Sequence, residues 1–111
     1  MATNYIQPGD VLTLAAPYAV ASGAGMLVGG IFAVALAAAS NGASVQAQRV
    51  GVWTLPKLTS DDVTAGAKLY WDNTNKRLTL TSSGNTLVGA AIAAAGTSAT
   101  TVSVMLDGAV R

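Results

Sequence analysis

The sequence contains no cysteine, no histidine and no glutamate among its 111 residues. Without cysteine the chain can form no disulfide bond and supports no thiol chemistry. The lack of histidine removes the commonest general base and the commonest metal ligand of proteins. Serine and threonine are plentiful, but no residue pattern supplies a base to activate them. The sequence therefore predicts a protein that is not an enzyme and that holds no metal or other cofactor.

Charged side chains are also scarce. They make up 10% of the residues, against about 25% in an average soluble domain, while 51% of the residues are hydrophobic and the mean hydropathy is +0.48. A small protein of this composition is expected to cover much of its surface with copies of itself or with a partner. The alternative is a monomer coated with threonine, serine and asparagine. The net charge of +1, without a basic run, argues against a nucleic-acid partner.

The longest apolar stretch raises the question of a membrane segment. Residues 26–39 are all apolar or glycine and lie within residues 11–48, which carry no charge. A membrane-spanning helix needs about 20 such residues, usually with basic residues close to its ends. We therefore predict no membrane partner, although a small membrane-associated protein that uses residues 26–39 remains an open alternative.

The N-terminal residues differ from the rest of the chain. Residues 1–9 are mostly polar and end in Gln7-Pro8-Gly9, a turn signal, because proline fixes φ and glycine frees the backbone after it. The remaining length suits one domain. We predict an extended N-terminal arm at residues 1–9 and a single β-rich domain at residues 10–111.

The clearest local signal is a β-hairpin within residues 65–80. Residues 68–71 (Lys-Leu-Tyr-Trp) are bulky and favour strands, and polar and apolar residues alternate from Arg77 onward. The five polar residues between them, 72–76, are typical of a turn, and Asp72 can accept a hydrogen bond from the backbone two residues later. Asp72 is thus expected to form the turn.

Further strand signals recur along the chain between turns that contain glycine or proline. They cover residues 11–14, 26–28, 31–35, 45–55 and 102–110. Helix is favoured at residues 37–39 by alanine propensity, and at residues 59–63, where Thr59 or Ser60 can act as the N-cap. Together these signals predict a mainly β fold, a small β-sandwich or barrel of short strands with a central hairpin and at most one or two short helices.

Two parts of the chain echo each other. Leu27-Val28-Gly29 is matched by Leu87-Val88-Gly89, and each triplet is followed by an alanine-rich run, a turn and a strand that begins at Val45 or Val102. A glycine follows each of these valines at the same distance. Duplication explains this match, and so does chance similarity in a sequence rich in alanine, glycine and valine.

Few residues suggest a binding site. Asp72 with Asn73 and Asn75 has some character of a calcium loop, but the terminal glutamate of such a loop is missing. Trp53 and Trp71 are each expected to be core anchors or interface residues, with core burial as the default. A soluble oligomeric ligand-binding module that exposes these tryptophans is a second open alternative.

Four sequence blocks, taken in order, resemble the capsid cement, or head decoration, proteins of tailed phages. The blocks are Tyr5-Ile6-Gln7-Pro8-Gly9-Asp10, Gly51-Val52-Trp53-x-Leu55-Pro56-Lys57, Ala65-Gly66-x-x-Leu69-Tyr70-Trp71-Asp72 and Gly84-Asn85-x-x-Val88-Gly89-x-Ala91. They span nearly the whole chain. The chain departs from the family at residues 37–44, where related chains often carry acids, and at Lys76, where the hairpin turn often has glycine.

The resemblance implies a structural protein of the virion that binds the outer surface of a phage head and stabilises it. It implies the major capsid protein as partner, a homotrimer as the assembled form, and no catalytic residue. A compact β-rich body would carry an arm that reaches the capsid. Because the arm is polar, extended and bounded by proline, we hypothesise capsid contact at Asn4, Tyr5, Ile6, Gln7 and Pro8.

Overall fold

The computed structural model describes residues 9–108, and within this range the chain forms nine β-strands and no helix. The strands are β1 (Val11–Ala15), β2 (Gly25–Val28), β3 (Ile31–Ala35), β4 (Ser44–Gln48), β5 (Val50–Pro56), β6 (Lys68–Asp72), β7 (Arg77–Thr79), β8 (Thr86–Ala91) and β9 (Thr101–Asp107). The prediction of a small, mainly β fold is confirmed. The central hairpin is present as β6 and β7, with Trp71 opposite Leu78.

The strands form two antiparallel sheets. The first has four strands in the order β1-β4-β3-β2, and the second has five in the order β5-β9-β8-β6-β7. The second sheet curls into a half-barrel, so that Lys57, just after β5, forms a parallel bridge with Leu78 of β7. The Leu58 amide donates to the Leu78 carbonyl at 2.8 Å. This contact brings the two outermost strands of the sheet together.

The same connectivity occurs twice. We define the first repeat as residues 11–48 and the second as residues 50–107. In each sheet the first strand of the repeat pairs with the last, the last with the third, and the third with the second. Strand β7, at the edge of the second sheet, has no counterpart in the first repeat. Equivalent bridges join Val20 to Ala39 and Val63 to Ala95. Val45 and Val102, the second residues of β4 and β9, are equivalent as the sequence echo predicts. The triplets that begin at Leu27 and Leu87 are not equivalent, because they begin in β2 and β8, and these two strands occupy different positions in their sheets.

A four-residue turn introduces the second strand of each repeat. The Ala24 amide donates to Ala21 at 3.0 Å, and the Ala67 amide donates to Thr64 at 3.1 Å. The third residues of these turns, Gly23 and Gly66, both have φ of 86°. This positive angle, which a type II turn requires, favours glycine there.

The expected helices at residues 37–39 and 59–63 are wrong. Ala39 exchanges two backbone hydrogen bonds of 2.9 Å with Val20. At the second place a turn closes by donation from the Asp61 amide to the Leu58 carbonyl at 3.1 Å. Both segments are short, and bridges from Ala39 to Val20 and from Val63 to Ala95, in loops distant in sequence, satisfy backbone groups there and override local helix propensity.

Residues 26–39, the longest apolar stretch, contain most of β2, all of β3 and the loop after it. A two-residue turn, Gly29-Gly30, joins the two strands, and Gly29 has φ of 58°. Among residues 9–108, no helix has the length and apolar character needed to cross a bilayer.

Side chains of β3 point alternately into two apolar clusters. Ala33 and Ala35 lie in a cluster that the loops of the first repeat cover, with Met26 and Val45 among its members. Phe32 and Val34 lie on the opposite face of the same strand, in a larger cluster with residues of the second repeat. The first sheet therefore has two packed faces, one against its own loops and one against the second repeat.

Trp71 is the largest fully buried side chain and joins the two repeats. Only 1% of it is exposed, and its ring centroid lies 4.9 Å from that of Phe32. A Cβ added at Gly25 of the first repeat would lie 2.9 Å from the Trp71 ring. The core role expected for Trp71 is thus confirmed. Trp53 is half-buried, packs against the same cluster, and donates its indole N–H to the Val50 carbonyl at 3.1 Å.

Candidate interaction surface

One arginine holds both ends of the described chain. Arg49 lies between β4 and β5; its Nε donates to the Gly9 carbonyl, and its Nη1 donates to the Gly108 carbonyl at 2.6 Å. The Arg49 amide also donates to the Asp10 carbonyl at 2.8 Å. Hydrogen bonds from a charged donor are stronger than neutral ones. Arg49 therefore fixes the point at which the N-terminal residues join the body.

The residues assigned to capsid contact, Asn4, Tyr5, Ile6, Gln7 and Pro8, lie outside the described residues, which begin at Gly9. Their role and the extended arm at residues 1–9 stay predictions. The role of Arg49 could not be predicted from the sequence, because nothing in its immediate neighbourhood shows that its partners are 40 and 59 residues away.

The hairpin turn is organised by Asp72, as expected. Its Oδ1 accepts hydrogen bonds from the amides of Thr74 and Asn75 at 3.0 and 3.2 Å, and its Oδ2 accepts one from Asn75 Nδ2 at 2.8 Å. The side-chain and backbone hydrogen bonds from Asn75 lower the pKa of the Asp72 carboxyl. Lys76 closes the turn with φ of 57°, a backbone angle that explains why glycine suits this position.

Acid is expected to loosen this hairpin. The folded state depresses the pKa of Asp72 below its ordinary value of 3.8, so the carboxylate contributes stability above that value and loses it as the pH falls through the lower, folded pKa. Wild type should be slightly more stable than Asp72→Asn at neutral pH, and the difference should shrink below about pH 4. Thermal unfolding of both proteins across pH tests this. A stability difference between the two proteins that stays constant below about pH 4 would contradict this prediction.

The Asp61 carboxylate has a structural role in the loop before β6. Asp61 Oδ2 accepts hydrogen bonds from the Thr79 hydroxyl at 2.7 Å and from the Leu80 amide at 2.9 Å. The buried Lys57 Nζ donates to the Asp61 carbonyl at 2.7 Å. These contacts attach the loop before β6 to β7. Among residues 9–108, no three acidic side chains gather where a metal ion could bind.

A small cavity of about 200 Å³ lies where the two repeats meet, beside the hairpin turn. Tyr18 forms one side, and its hydroxyl donates to Asn73 Oδ1 at 3.1 Å, while Lys76 Nζ lies 4.2 Å from the centre of the Tyr18 ring. Burial raises the pKa of the Tyr18 hydroxyl. Trp71 also lines the cavity but is only 1% exposed. Ligand pockets usually measure about 300–1,000 Å³, so this cavity lacks the size and the exposed tryptophan expected of a ligand-binding module.

The second sheet presents a broad uncharged area to solvent. We define the outer face as the surface of Val52, Leu87, Ala90, Ile92 and Met105. Val52 and Met105 lie directly opposite each other in β5 and β9, and Ala90 lies on the other side of Met105 in β8. Val52, Met105 and Ile92 are 54%, 50% and 49% exposed. Contiguous exposed apolar surface of this kind marks interaction sites.

Two charged residues lie on the same side of the sheet as the outer face, and one of them, Lys68, is directly opposite Ala90. Lys68 and Asp107, together with Leu87, Ala90 and Met105, line a shallow groove of about 190 Å³ on it. The low charge content predicts a covered surface but not its position. Val104, Met105 and Leu106 are all apolar in the sequence, so only the structure shows that Met105 is exposed while its neighbours in β9 are buried.

Comparison with known proteins gives one result. The family model described as phage cement protein matches residues 6–106, which include the outer face and all nine strands except the last residue of β9. Comparison with curated proteins gave no match, and comparison with solved structures gave none. The chain therefore belongs to the phage cement protein family, whose members are virion components on the outer surface of the head.

Proposed function

We propose that this protein is a capsid decoration protein that binds the major capsid protein on the outer surface of the phage head and stabilises the head as a homotrimer. The observation that carries the proposal is the family match across residues 6–106. The scarcity of charge and the exposed apolar side chains of the outer face support it, since both suit a protein that is covered by neighbours.

Stabilisation would come from many modest contacts acting together. A symmetric trimer offers each contact three times, and the second and third contacts form at high effective concentration once the first is made. The N-terminal residues Asn4–Pro8 would contact the major capsid protein, and Arg49 would fix where they leave the body. The proposed role is structural and needs no catalysis.

The test uses the full-length protein and purified expanded heads that lack it. Sedimentation should give a trimer mass, and the protein should bind the heads saturably and raise the temperature at which they release their genome. Bovine serum albumin at the same concentration serves as the non-binding control. A monomer at every concentration, together with no binding to the heads, would refute the proposal.

A further inference from the structure

We propose that Asn41 is a site of spontaneous modification, where the side chain loses its amide by deamidation, and that one backbone hydrogen bond of the fold restrains the reaction. The reaction needs only the chain itself and water. It is therefore independent of the decoration role proposed above and of any partner.

The sequence supplies the reactive pair of residues. Asparagine deamidates fastest where glycine follows it, because glycine has no side chain to hinder its amide nitrogen. That nitrogen attacks the asparagine Cγ, a C–N bond forms, and the side-chain nitrogen leaves as ammonia with the proton that the glycine gives up. Water then opens the cyclic imide at either carbonyl, which yields aspartate or isoaspartate. The chain has five asparagines, and only Asn41 is followed by glycine.

The side chain of Asn41 is free to reach the backbone. It is exposed, and within residues 9–108 it is the one asparagine side chain that makes no hydrogen bond. The other described asparagines, Asn73, Asn75 and Asn85, each use the side-chain amide in a hydrogen bond. The Asn41 Cγ can therefore turn toward the next amide without losing a contact.

The restraint comes from the backbone of Gly42. This residue is the third of a turn that the Ala43 amide closes by donating to the Ser40 carbonyl at 3.0 Å, and it has φ of 87°. Its amide donates to the carbonyl of the buried Ala16 at 2.8 Å. The Ala16 amide donates in return to the Ala43 carbonyl at 2.9 Å. These two bonds attach the turn to the residue that follows β1.

This hydrogen bond opposes the reaction directly. The Gly42 nitrogen attacks Cγ only after it has lost its proton, and in the folded chain that proton is held by the Ala16 carbonyl. The turn must first separate from Ala16, and such local opening costs free energy. We therefore expect the rate of deamidation in the folded protein to follow the opening of this turn.

Modification would alter both charge and backbone. The neutral side chain becomes a carboxylate, so the formal net charge of +1 falls to zero. Isoaspartate also adds one carbon to the main chain between the Ser40 carbonyl and the Ala43 amide, so the turn can no longer meet Ala16 in the same way. The modified protein is thus distinguishable by isoelectric focusing.

The test follows the full-length protein during incubation at mildly alkaline pH, with and without enough guanidinium chloride to unfold it. Peptide mass spectrometry locates the modified asparagine. In denaturant we expect Asn41 to be modified first, and Gly42→Ala should slow the reaction at least tenfold because its methyl group hinders the nitrogen. Folding should slow modification of the wild type at least tenfold, the factor that an opening cost of about 1.4 kcal/mol produces.

Hydrogen exchange of the Gly42 amide, measured by NMR on the folded protein, is the second measurement. The amide should be protected by a similar factor, because exchange and deamidation need the same opening. If another asparagine is modified first in denaturant, the assignment to Asn41 is overturned. Equal rates at Asn41 in the folded and unfolded chains would overturn the restraint. A Gly42 amide that exchanges freely while deamidation stays slow would show that the hydrogen bond to Ala16 is not its source.

Discussion

Replacing Trp71 with alanine is expected to lower the free energy of unfolding by about 3–5 kcal/mol, the usual cost of removing a large buried aromatic side chain. The effect should lie at the upper end because this ring contacts both repeats. It packs against Phe32 at 4.9 Å between centroids and against the backbone of Gly25. Its indole N–H also donates to Asn73 Oδ1 at 3.2 Å. Urea unfolding followed by circular dichroism measures the change.

Two further variants serve as controls for the Trp71→Ala measurement. Trp71→Phe keeps most of the buried ring and should recover part of the lost stability. Trp53→Ala removes the same side chain from a half-buried position and should cost clearly less. If Trp71→Ala and Trp53→Ala lower the free energy of unfolding by the same amount, Trp71 is not the special link between the repeats that the structure indicates.

Deleting residues 1–8 is expected to reduce binding to expanded heads at least tenfold while leaving the unfolding temperature nearly unchanged. The deletion removes the proposed capsid contacts from Asn4 to Pro8, but the body begins at Gly9, whose carbonyl stays bound to Arg49. Cosedimentation with heads measures the loss, and thermal unfolding verifies the body. Unchanged binding would refute the arm hypothesis.

Arg49→Ala provides an independent approach to the same question. It leaves the arm sequence intact but removes the hydrogen bonds that hold Gly9 and Gly108. We expect weaker head binding than in wild type and stronger binding than in the deletion, because the arm remains but its exit is no longer fixed. Arg77→Ala is the control, since this arginine lies in the hairpin, 4.0 Å from Asp72.

The hairpin and the strand class could be predicted from the sequence because their signals are local. Asp72 and its polar neighbours define a turn within five residues, and the bulky residues beside them favour strands. The structure places β6 at Lys68–Asp72 and β7 at Arg77–Thr79, close to the predicted limits. In this segment the local preference and the global fold agree.

The remaining features depend on distant partners and could not be predicted in this way. The pair of strands expected at residues 45–55 is present as β4 and β5, but nothing in the sequence shows that the two strands belong to different sheets. Alanine-rich residues 37–39 extend along Val20 because the bridge to it is available only in the folded chain. Met105 is apolar like its buried neighbours. Whether its side chain is exposed depends only on whether another layer of the protein packs against that side of the sheet.

The shared attachment of Gly9 and Gly108 to Arg49 has a practical consequence for engineering. Because both ends of the body leave from one place, a protein fused to either terminus would emerge beside the residues proposed to bind the capsid. The exposed turn at residues 96–99, which the Ala99 amide closes by donating to the Gly96 carbonyl at 3.0 Å, precedes the start of β9, at the opposite end of this strand from Gly108. A circularly permuted chain, with a short linker between the present ends and new termini in this turn, would carry its cargo away from that junction.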